Sequence, residues 1–361
     1  MKPVSSHARA AALAALAIAI LAACPNGDLI GPVAPKAAVT RELPAMQHYF
    51  GNLHSHTRYS DGAGTPAQTL AWARDTVKYD FYAITDHAEM LSGAEWADIG
   101  AQVNAFTAPD FVAIRGFEYS NPIVGHINAF NTASYKGFWS ASSLSSIYGW
   151  IVGQGAVAQW NHPGTTARPG DFSGFKHYPS ALGNMALLET GNGNDGNIGG
   201  LYQKWYIIAL DKGWKPAPTN NMDNHSMSAN GHRTVIVAPS LTRDNLLSAL
   251  RARRVYSTDD SNMRIAFGSG GAWMGSDLAA RGDVRFDVAV EDDEMVRRLE
   301  IVSNGGAVVA SLDCDSGSVV WSPVIPVDGK RWFYLRVYEA NTIEAGEPTQ
   351  LAITAPLFFN Y

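Results

Sequence analysis

Six of the ten histidines in this 361-residue chain stand in short motifs whose spacing suits metal ligation. The densest is His54-Ser55-His56-Thr57-Arg58-Tyr59-Ser60-Asp61-Gly62. On a strand, positions i and i+2 face the same way, so His54 and His56 can present two imidazoles to one ion. Asp61 falls in the turn that follows, where Gly62 permits sharp backbone geometry. Ile84-Thr85-Asp86-His87 ends an apolar stretch. There His87 is a candidate ligand, and Asp86 either orients it or closes the turn. Glu118 follows Gly116-Phe117, His126 stands in Gly125-His126-Ile127-Asn128, and His162 in Asn161-His162-Pro163-Gly164. Asp223-Asn224-His225 repeats the i, i+2 geometry with one carboxylate and one imidazole. His7, His48, His177 and His232 lack such a setting and read as structural or surface positions.

The elements that must position these residues alternate between short apolar strands and helical stretches from about residue 46 to 260. Strands are expected at Tyr49–His56, Phe81–His87, Phe111–Glu118, His126–Phe130, Ala156–His162, Ala186–Glu189, Thr219–His225 and Thr234–Ala238. Thr65-Pro66 followed by Gln68–Val77 reads as a helix with a good N-cap and a first-turn proline. Thr242–Arg254 reads as another, with Leu246, Leu247 and Leu250 on one face. Such alternation implies an α/β fold with a largely parallel sheet or barrel. His56, His87, Glu118, His162, Glu189 and His225 then fall at or just past strand ends, the rim where barrel enzymes assemble their chemistry. From Ser261 to Tyr361 the pattern shifts to period two, with a hairpin signal at Asn304-Gly305, and reads as an antiparallel β-sandwich.

At the other end, Lys2, Arg9 and the apolar run Ala10–Ala23 form a targeting segment over residues 1–24. Leu21-Ala22-Ala23-Cys24 resembles a bacterial lipoprotein signal, which implies lipidation of Cys24 and a membrane anchor in the exported cell envelope. Residues 25–45, rich in Pro and Ala, read as a flexible tether. Cys314, the only other cysteine, reads as a lone thiol. Hydrophobic residues make up 46% and charged residues 17%, which suits a packed globular body. The formal charge of −6 gives no bulk field for gripping nucleic acid, so no stable nucleic-acid partner is expected. The one basic cluster, Arg251, Arg253 and Arg254, reads as a solvated helix terminus.

Taken in order, His-x-His-x-x-x-Ser-Asp-Gly, Thr-Asp-His, a downstream Glu, a later His and a final Asp-x-His resemble the PHP family (polymerase and histidinol phosphatase domain). The likeness covers about residues 47 to 260. It implies a distorted (β/α)7 TIM-like barrel over 46–260, ahead of the β-sandwich, with two or three divalent ions. By motif, His54, His56, Glu118 and Asp223 would hold one ion. Glu118 would bridge to a second, held by His126 and His162, and Asp61, His87 and His225 would hold a third. Glu118, Asp61 and His225 are the candidate catalytic residues. Gly-His-x-Asn, Asn-His-Pro and the trailing β-domain are most similar to the branch with secreted carbamate (carbaryl-type) hydrolases.

Imidazole and carboxylate without thiolate suit Zn, Mn or Fe. A carboxylate between two ions holds them roughly 3.5–4 Å apart and traps a shared hydroxide, a nucleophile at neutral pH. Three ions carry roughly +6 against about −4 from three carboxylates and a hydroxide, which suits a phosphate. Two ions with the same ligands would be roughly neutral and suit a carbamate or carboxylic ester. The expectation is a metal-dependent hydrolase of a small-molecule ester, first a phosphoesterase, with a carbamate or carboxylic ester hydrolase as the alternative. The other alternative is a non-catalytic binding lipoprotein. Tyr119, Trp139, Tyr148, Trp150, Trp160, Tyr202, Trp205 and Trp214 either pack helices or line the rim for an apolar leaving group. Arg58 and Arg168 are possible anion contacts, while Glu189 and Asn161 are candidates for supporting the ligands.

Overall fold

The chain forms a mixed α/β structure built on one large sheet. This computed structural model describes residues 43–164, 172–193, 201–339 and 351–360. The segment ending at Cys24, nearly all of the tether, and Arg168 lie outside them. The strands that matter for the site are β1 (Gln47–Asn52), β2 (Phe81–Ile84), β3 (Val112–Asn121), β4 (Gly125–Phe130), β5 (Val157–Trp160), β6 (Met185–Asn192), β7 (Ala217–Asn221), β8 (Arg233–Ala238) and β9 (Val255–Thr258). Each expected strand is present, with shifted ends.

The largely parallel sheet of the sequence reading needs correction. β1, β2 and β3 pair in parallel, as do β5, β6 and β7. β4 runs antiparallel to both β3 and β5, and β8 runs antiparallel to β1 and β9. The reason for β4 is connection length. Only residues 122–124 separate it from β3, whereas a parallel crossover takes roughly a dozen residues.

Burial follows the strand period. Phe81 and Ala83 of β2 pack into one apolar cluster, Tyr82 and Ile84 into the other. All four are fully buried, as expected of a strand covered on both faces. Each large apolar side chain so buried contributes roughly 1.5–3 kcal/mol. The helix Pro66–Trp72 begins with a reciprocal capping box between Thr65 and Gln68 and with Pro66 in its first turn. It ends sooner than expected, continuing as a wider turn over Ala73–Val77 that Lys78 closes in the left-handed conformation. Thr242 caps the helix Arg243–Arg251. The basic cluster at its end is more than solvated charge. Arg251 donates to the Gly155 carbonyl, Arg253 to Gly275 O and Asp277, and Arg254 to Val237 O.

The C-terminal region is mostly antiparallel, with one short parallel pairing of Asp277–Leu278 with Leu357–Phe359. Strands Asp287–Ser303 and Ala307–Trp321 form a long hairpin turned at Asn304–Gly306, where Gly305 has φ +70°. Trp332–Glu339 pairs on the other side of Asp287–Ser303. Leu351–Thr354 then pairs both with Trp332–Glu339 and with β9, so the hydrogen bonding continues across residue 260.

Candidate metal centre

β1 stops at Asn52, yet the chain stays extended through His56 because both neighbours hold it. Leu53 N–H donates to Asn221 Oδ1 at 2.8 Å, Ser55 N–H to Thr85 Oγ1 at 3.0 Å, and His56 N–H to the Asn224 carbonyl at 2.9 Å. His54 and His56 therefore keep the i, i+2 relation. His87 follows β2, His162 follows β5, and Asp223 and His225 follow β7. Glu118 and Glu189 sit within β3 and β6 rather than at their ends. His126 opens β4, and because β4 is antiparallel its start lies beside the end of β3, with Ser120 opposite His126. Gly62 has a different reason from the one expected. A Cβ there would lie 2.2 Å from the His56 carbonyl oxygen, so the loop carrying Asp61 packs directly on the backbone of a ligand residue.

All nine candidate ligands converge. They form overlapping groups whose ligand atoms lie within 4.8 Å of one another: His54, His56 and Glu118; His54, His162 and Asp223; Glu118, His126 and His162; and His56, Asp61, His87 and His225. Glu118 is the hub. Its Oε1 lies 3.3 Å from His54 Nε2, 3.2 Å from His126 Nδ1 and 3.3 Å from His162 Nε2. Its Oε2 lies 2.8 Å from His87 Nδ1 and 3.8 Å from His56 Nε2. Asp223 Oδ1 is 3.0 Å from His56 Nε2 and 3.3 Å from His54 Nε2. Asp61, at the outer side, reaches His225 Nε2 at 3.2 Å and His87 Nε2 at 3.4 Å. His162 and Asp223 are held at φ +27° and +47°, a backbone region that costs such residues roughly 1 kcal/mol or more and is typical of functional sites.

The residues present fit divalent ions. His126 Nδ1 and Asp223 Oδ1 are buried without a hydrogen-bond partner despite close neighbours of complementary type. His54 Nε2 and His56 Nε2 face each other at 3.2 Å. Donor atoms arranged this way point toward shared space instead of satisfying each other. The imidazoles are also set in tautomers that present a lone pair. His54 Nδ1 bonds to Glu189 Oε1 at 2.9 Å, and His225 Nδ1 donates to the Asp223 carbonyl at 2.7 Å, leaving Nε2 of each for a ligand.

Glu189 is fully buried and also accepts from Gln159, Asn221, Asn192 and the His162 N–H. Five donors keep the carboxylate anchored against its desolvation cost. Glu189→Gln should weaken metal binding by roughly 10- to 100-fold with little change in fold, measured by competition with a chromophoric chelator. Unchanged affinity would show that Glu189 does not orient His54.

Electrostatics in the metal-free state follow from the same contacts. Burial pushes His54 down, but Asp223, Glu189 and Glu118 outweigh it and hold the imidazole well above its ordinary value. His87 and His162 are likewise lowered by burial yet raised overall, chiefly by Glu118. His56 is lowered, by burial and by His54, against the pull of Asp223 and Glu118. Glu118 and Asp223 would rise through burial, yet the histidines, His54 first, hold both far below the usual carboxylate range. Imidazoles with raised pKa keep their protons near neutrality, and an ion must displace them. Metal uptake should therefore release protons, and affinity should fall as the pH drops. Calorimetry in buffers of different ionisation enthalpy checks this, and uptake without proton release would contradict it.

Several supporting residues escape sequence reasoning. Asp86 orients no histidine. Its Oδ1 accepts from Thr57 N–H and Ser60 Oγ, both at 2.6 Å, and its Oδ2 accepts from Thr57 Oγ1 at 2.8 Å, so it pins the loop that carries Asp61. Ser120 Oγ lies 2.6 Å from His87 Nδ1. Gln159 carried a signal, being an amide in the apolar run Val157–Trp160. Asn161, which the sequence did offer as a support for the ligands, donates to Glu118 Oε1 at 2.8 Å. His48, half-buried, and His232, buried, lie away from the centre, where desolvation first and then Arg264 or Arg233 push each down to about 4. His177 is exposed beside Trp214. Most of the aromatics are core: Tyr119, Tyr148, Trp160, Tyr202 and Trp214 are buried, while Trp139 stays 82% exposed. Arg58 is exposed, and Cys314 is half-buried with its thiol donating to the Val296 carbonyl.

No family model matches the chain. An uncharacterised protein of Chlamydia pneumoniae is 22% identical over 348 residues, covering 82% of this chain and 56% of the relative, so the chain spans little more than half of that protein's length. Among solved structures, a two-domain protein from Bacteroides vulgatus, described as containing a predicted PHP-like metal-dependent phosphoesterase, is similar over 90% of this chain and 100% of its own, with TM-score 0.48 and 16% identity. PsfC from Pseudomonas syringae is similar over 56% of this chain and 88% of its own, at TM-score 0.41 and 15% identity. The lesion-specific endonuclease Q of Pyrococcus furiosus is similar over 57% and 56%, at TM-score 0.37 and 12% identity.

Proposed function

We propose that the chain is a PHP-type metal-dependent hydrolase acting on small phosphate esters. The observation that carries this reading is the convergence of nine imidazole and carboxylate side chains, from five separate regions of the chain, on one pocket. Zn, Mn or Fe at these positions would polarise the oxygen under attack and make water acidic enough to react at neutral pH. The protein's own part is positioning. Glu118 links the inner ligand groups, Glu189 and the Asp223 carbonyl set the imidazole tautomers, and Asp86 anchors the Asp61 loop. The assembled Asp61, His87 and His225 set favours a third ion, and three ions leave a surplus of roughly +2 over three carboxylates and a hydroxide, which suits an anionic phosphoryl group. A non-catalytic role fits poorly, since such a cluster is costly to keep buried without a cation.

A carbamate or carboxylic ester hydrolase is the second reading. It draws on the half-buried Phe138 and the exposed Trp139, whose rings lie 4.3 Å apart. Phe138 N–H donates to Glu89 Oε1, which also accepts from Ser120 N–H beside His87, so an aryl leaving group has a surface near the site. The test is to load the chain from residue 25 onward with each metal and assay aryl phosphates, aryl phosphodiesters and aryl carbamates. Phosphate or phosphodiester turnover is the expected result; carbamate turnover alone would replace this reading with the second.

The proposal extends to architecture and place. Strands β9, β8 and β1 to β7 follow one another around the centre, and Asn224 bonds back to His54 and His56, which supports a distorted (β/α)7 barrel ahead of a C-terminal β-sandwich. Lipidation at Cys24 would tether the enzyme to the cell envelope. Cys24→Ser should move the full chain from the detergent phase to the aqueous phase in detergent partitioning; continued partitioning with detergent would refute the anchor.

A further inference from the structure

Among the described residues, a second set of potential ligands lies outside this centre: Asp260, Asp292 and Glu339, whose carboxylate oxygens are within 4.8 Å of one another. They come from three separate segments. Asp260 stands in the turn after β9, Asp292 in strand Asp287–Ser303, and Glu339 at the end of Trp332–Glu339. Asp292 falls in the interval, between Glu291 and Val296, where its strand shifts register against Ala307–Trp321, which frees it from the regular ladder.

Asp260 is 7% exposed and Glu339 4%. Asp260 Oδ1 accepts from the N–H groups of Asn262 and Met263, at 2.6 and 2.7 Å, and Asp292 Oδ1 accepts from Asp293 N–H at 2.9 Å. Both oxygens of Glu339 and Oδ2 of Asp292 are buried with no hydrogen-bond partner. No Lys or Arg among the described residues forms an ion pair with the three acids. Arg233 feels the charge of Asp260, but its guanidinium donates to the carbonyls of Asn230 and His232 and lies over Tyr79.

We propose that Asp260, Asp292 and Glu339 form a calcium site, separate from the catalytic centre, that ties the turn after β9 to two strands of the C-terminal sheet. Three carboxylates at this spacing cannot all stay charged in a buried place without a cation. The donors are oxygen only, with no imidazole or thiolate, which selects a hard cation. Calcium accepts irregular oxygen cages, whereas magnesium demands a near-ideal octahedron and gives up its waters reluctantly. The site also has a path toward the centre. Asp259, beside Asp260, accepts from Asn220 Nδ2 at 2.8 Å, and Asn220 belongs to β7, which leads to Asp223.

The test compares wild type with Glu339→Gln and with Asp292→Asn, each in chelator and in millimolar calcium. Equilibrium dialysis of radioactive calcium against excess magnesium counts bound ions, and calorimetry gives Tm. Any calcium taken up at the catalytic centre is common to all three proteins, so the difference reports this cluster alone. Wild type should bind one more calcium per chain than either variant and gain roughly 3 °C or more in Tm. Glu339→Gln should be at least as stable as wild type in chelator, because it removes a buried unpaired acid. Equal calcium binding in all three, or a wild-type Tm indifferent to calcium, would overturn the proposal.

Discussion

Replacing Glu118 by Gln should leave a folded protein whose turnover of an aryl phosphate falls by roughly 10³-fold or more, the scale seen when one member of an interdependent catalytic set is removed. The substitution keeps the volume and removes only the charge. Glu118 is 1% exposed, and the ring nitrogens of His54, His56, His87, His126 and His162 lie between 2.8 and 3.8 Å from its oxygens. An amide cannot hold a cation on each side, and its NH2 group would face donors. Metal content by plasma mass spectrometry should fall together with activity, while Tm of the metal-free protein serves as the control for folding. Near-normal rates with full metal content would remove Glu118 from the centre of the account.

Asp61→Asn carries the second large effect, and it separates the two candidate reactions. Asp61 is the only carboxylate in the group with His56, His87 and His225, and its side chain is 47% exposed. Its loss should spare the buried inner groups and the fold. If the outer group supplies the charge that a phosphate needs, phosphate turnover should drop by roughly 10²-fold or more, on the scale of losing one preorganised charge in an active site. Ester or carbamate turnover should change far less, because the inner groups keep their own carboxylates, Glu118 and Asp223, and do not use Asp61. Equal losses on phosphate and carbamate substrates would contradict the division of labour between the inner and outer groups.

How much of this was legible in the sequence differs from residue to residue. His54 and His56 read correctly because strand geometry fixes i and i+2 on one face whatever the surrounding fold does. Asp223 and His225 share the same spacing and needed only an extended backbone. His126 was harder. Its place at the site depends on β4 running antiparallel, and the signal available was the three-residue link 122–124, too short for a crossover. For Asp86 the sequence left two roles open, orienting His87 or closing the turn, and its actual side-chain partners, Thr57 and Ser60, belong to another loop that its position beside His87 does not reveal. The roles of Gly62 and Glu189 are set by contacts across the fold, with the His56 carbonyl and with His54. Asp260, Asp292 and Glu339 form no motif at all. Each lies in an ordinary polar or strand-like stretch, and only tertiary pairing brings them together.

Anomalous diffraction from crystals grown with the metal that supports turnover tests the central claim most directly. The account predicts at least two peaks flanking the Glu118 carboxylate, at roughly 2.0–2.3 Å from its oxygens and from ring nitrogens of the surrounding histidines, with a further peak beside Asp61 if the outer group is filled. Ions found only elsewhere, or none beside Glu118 in a protein that turns over substrate, would contradict it.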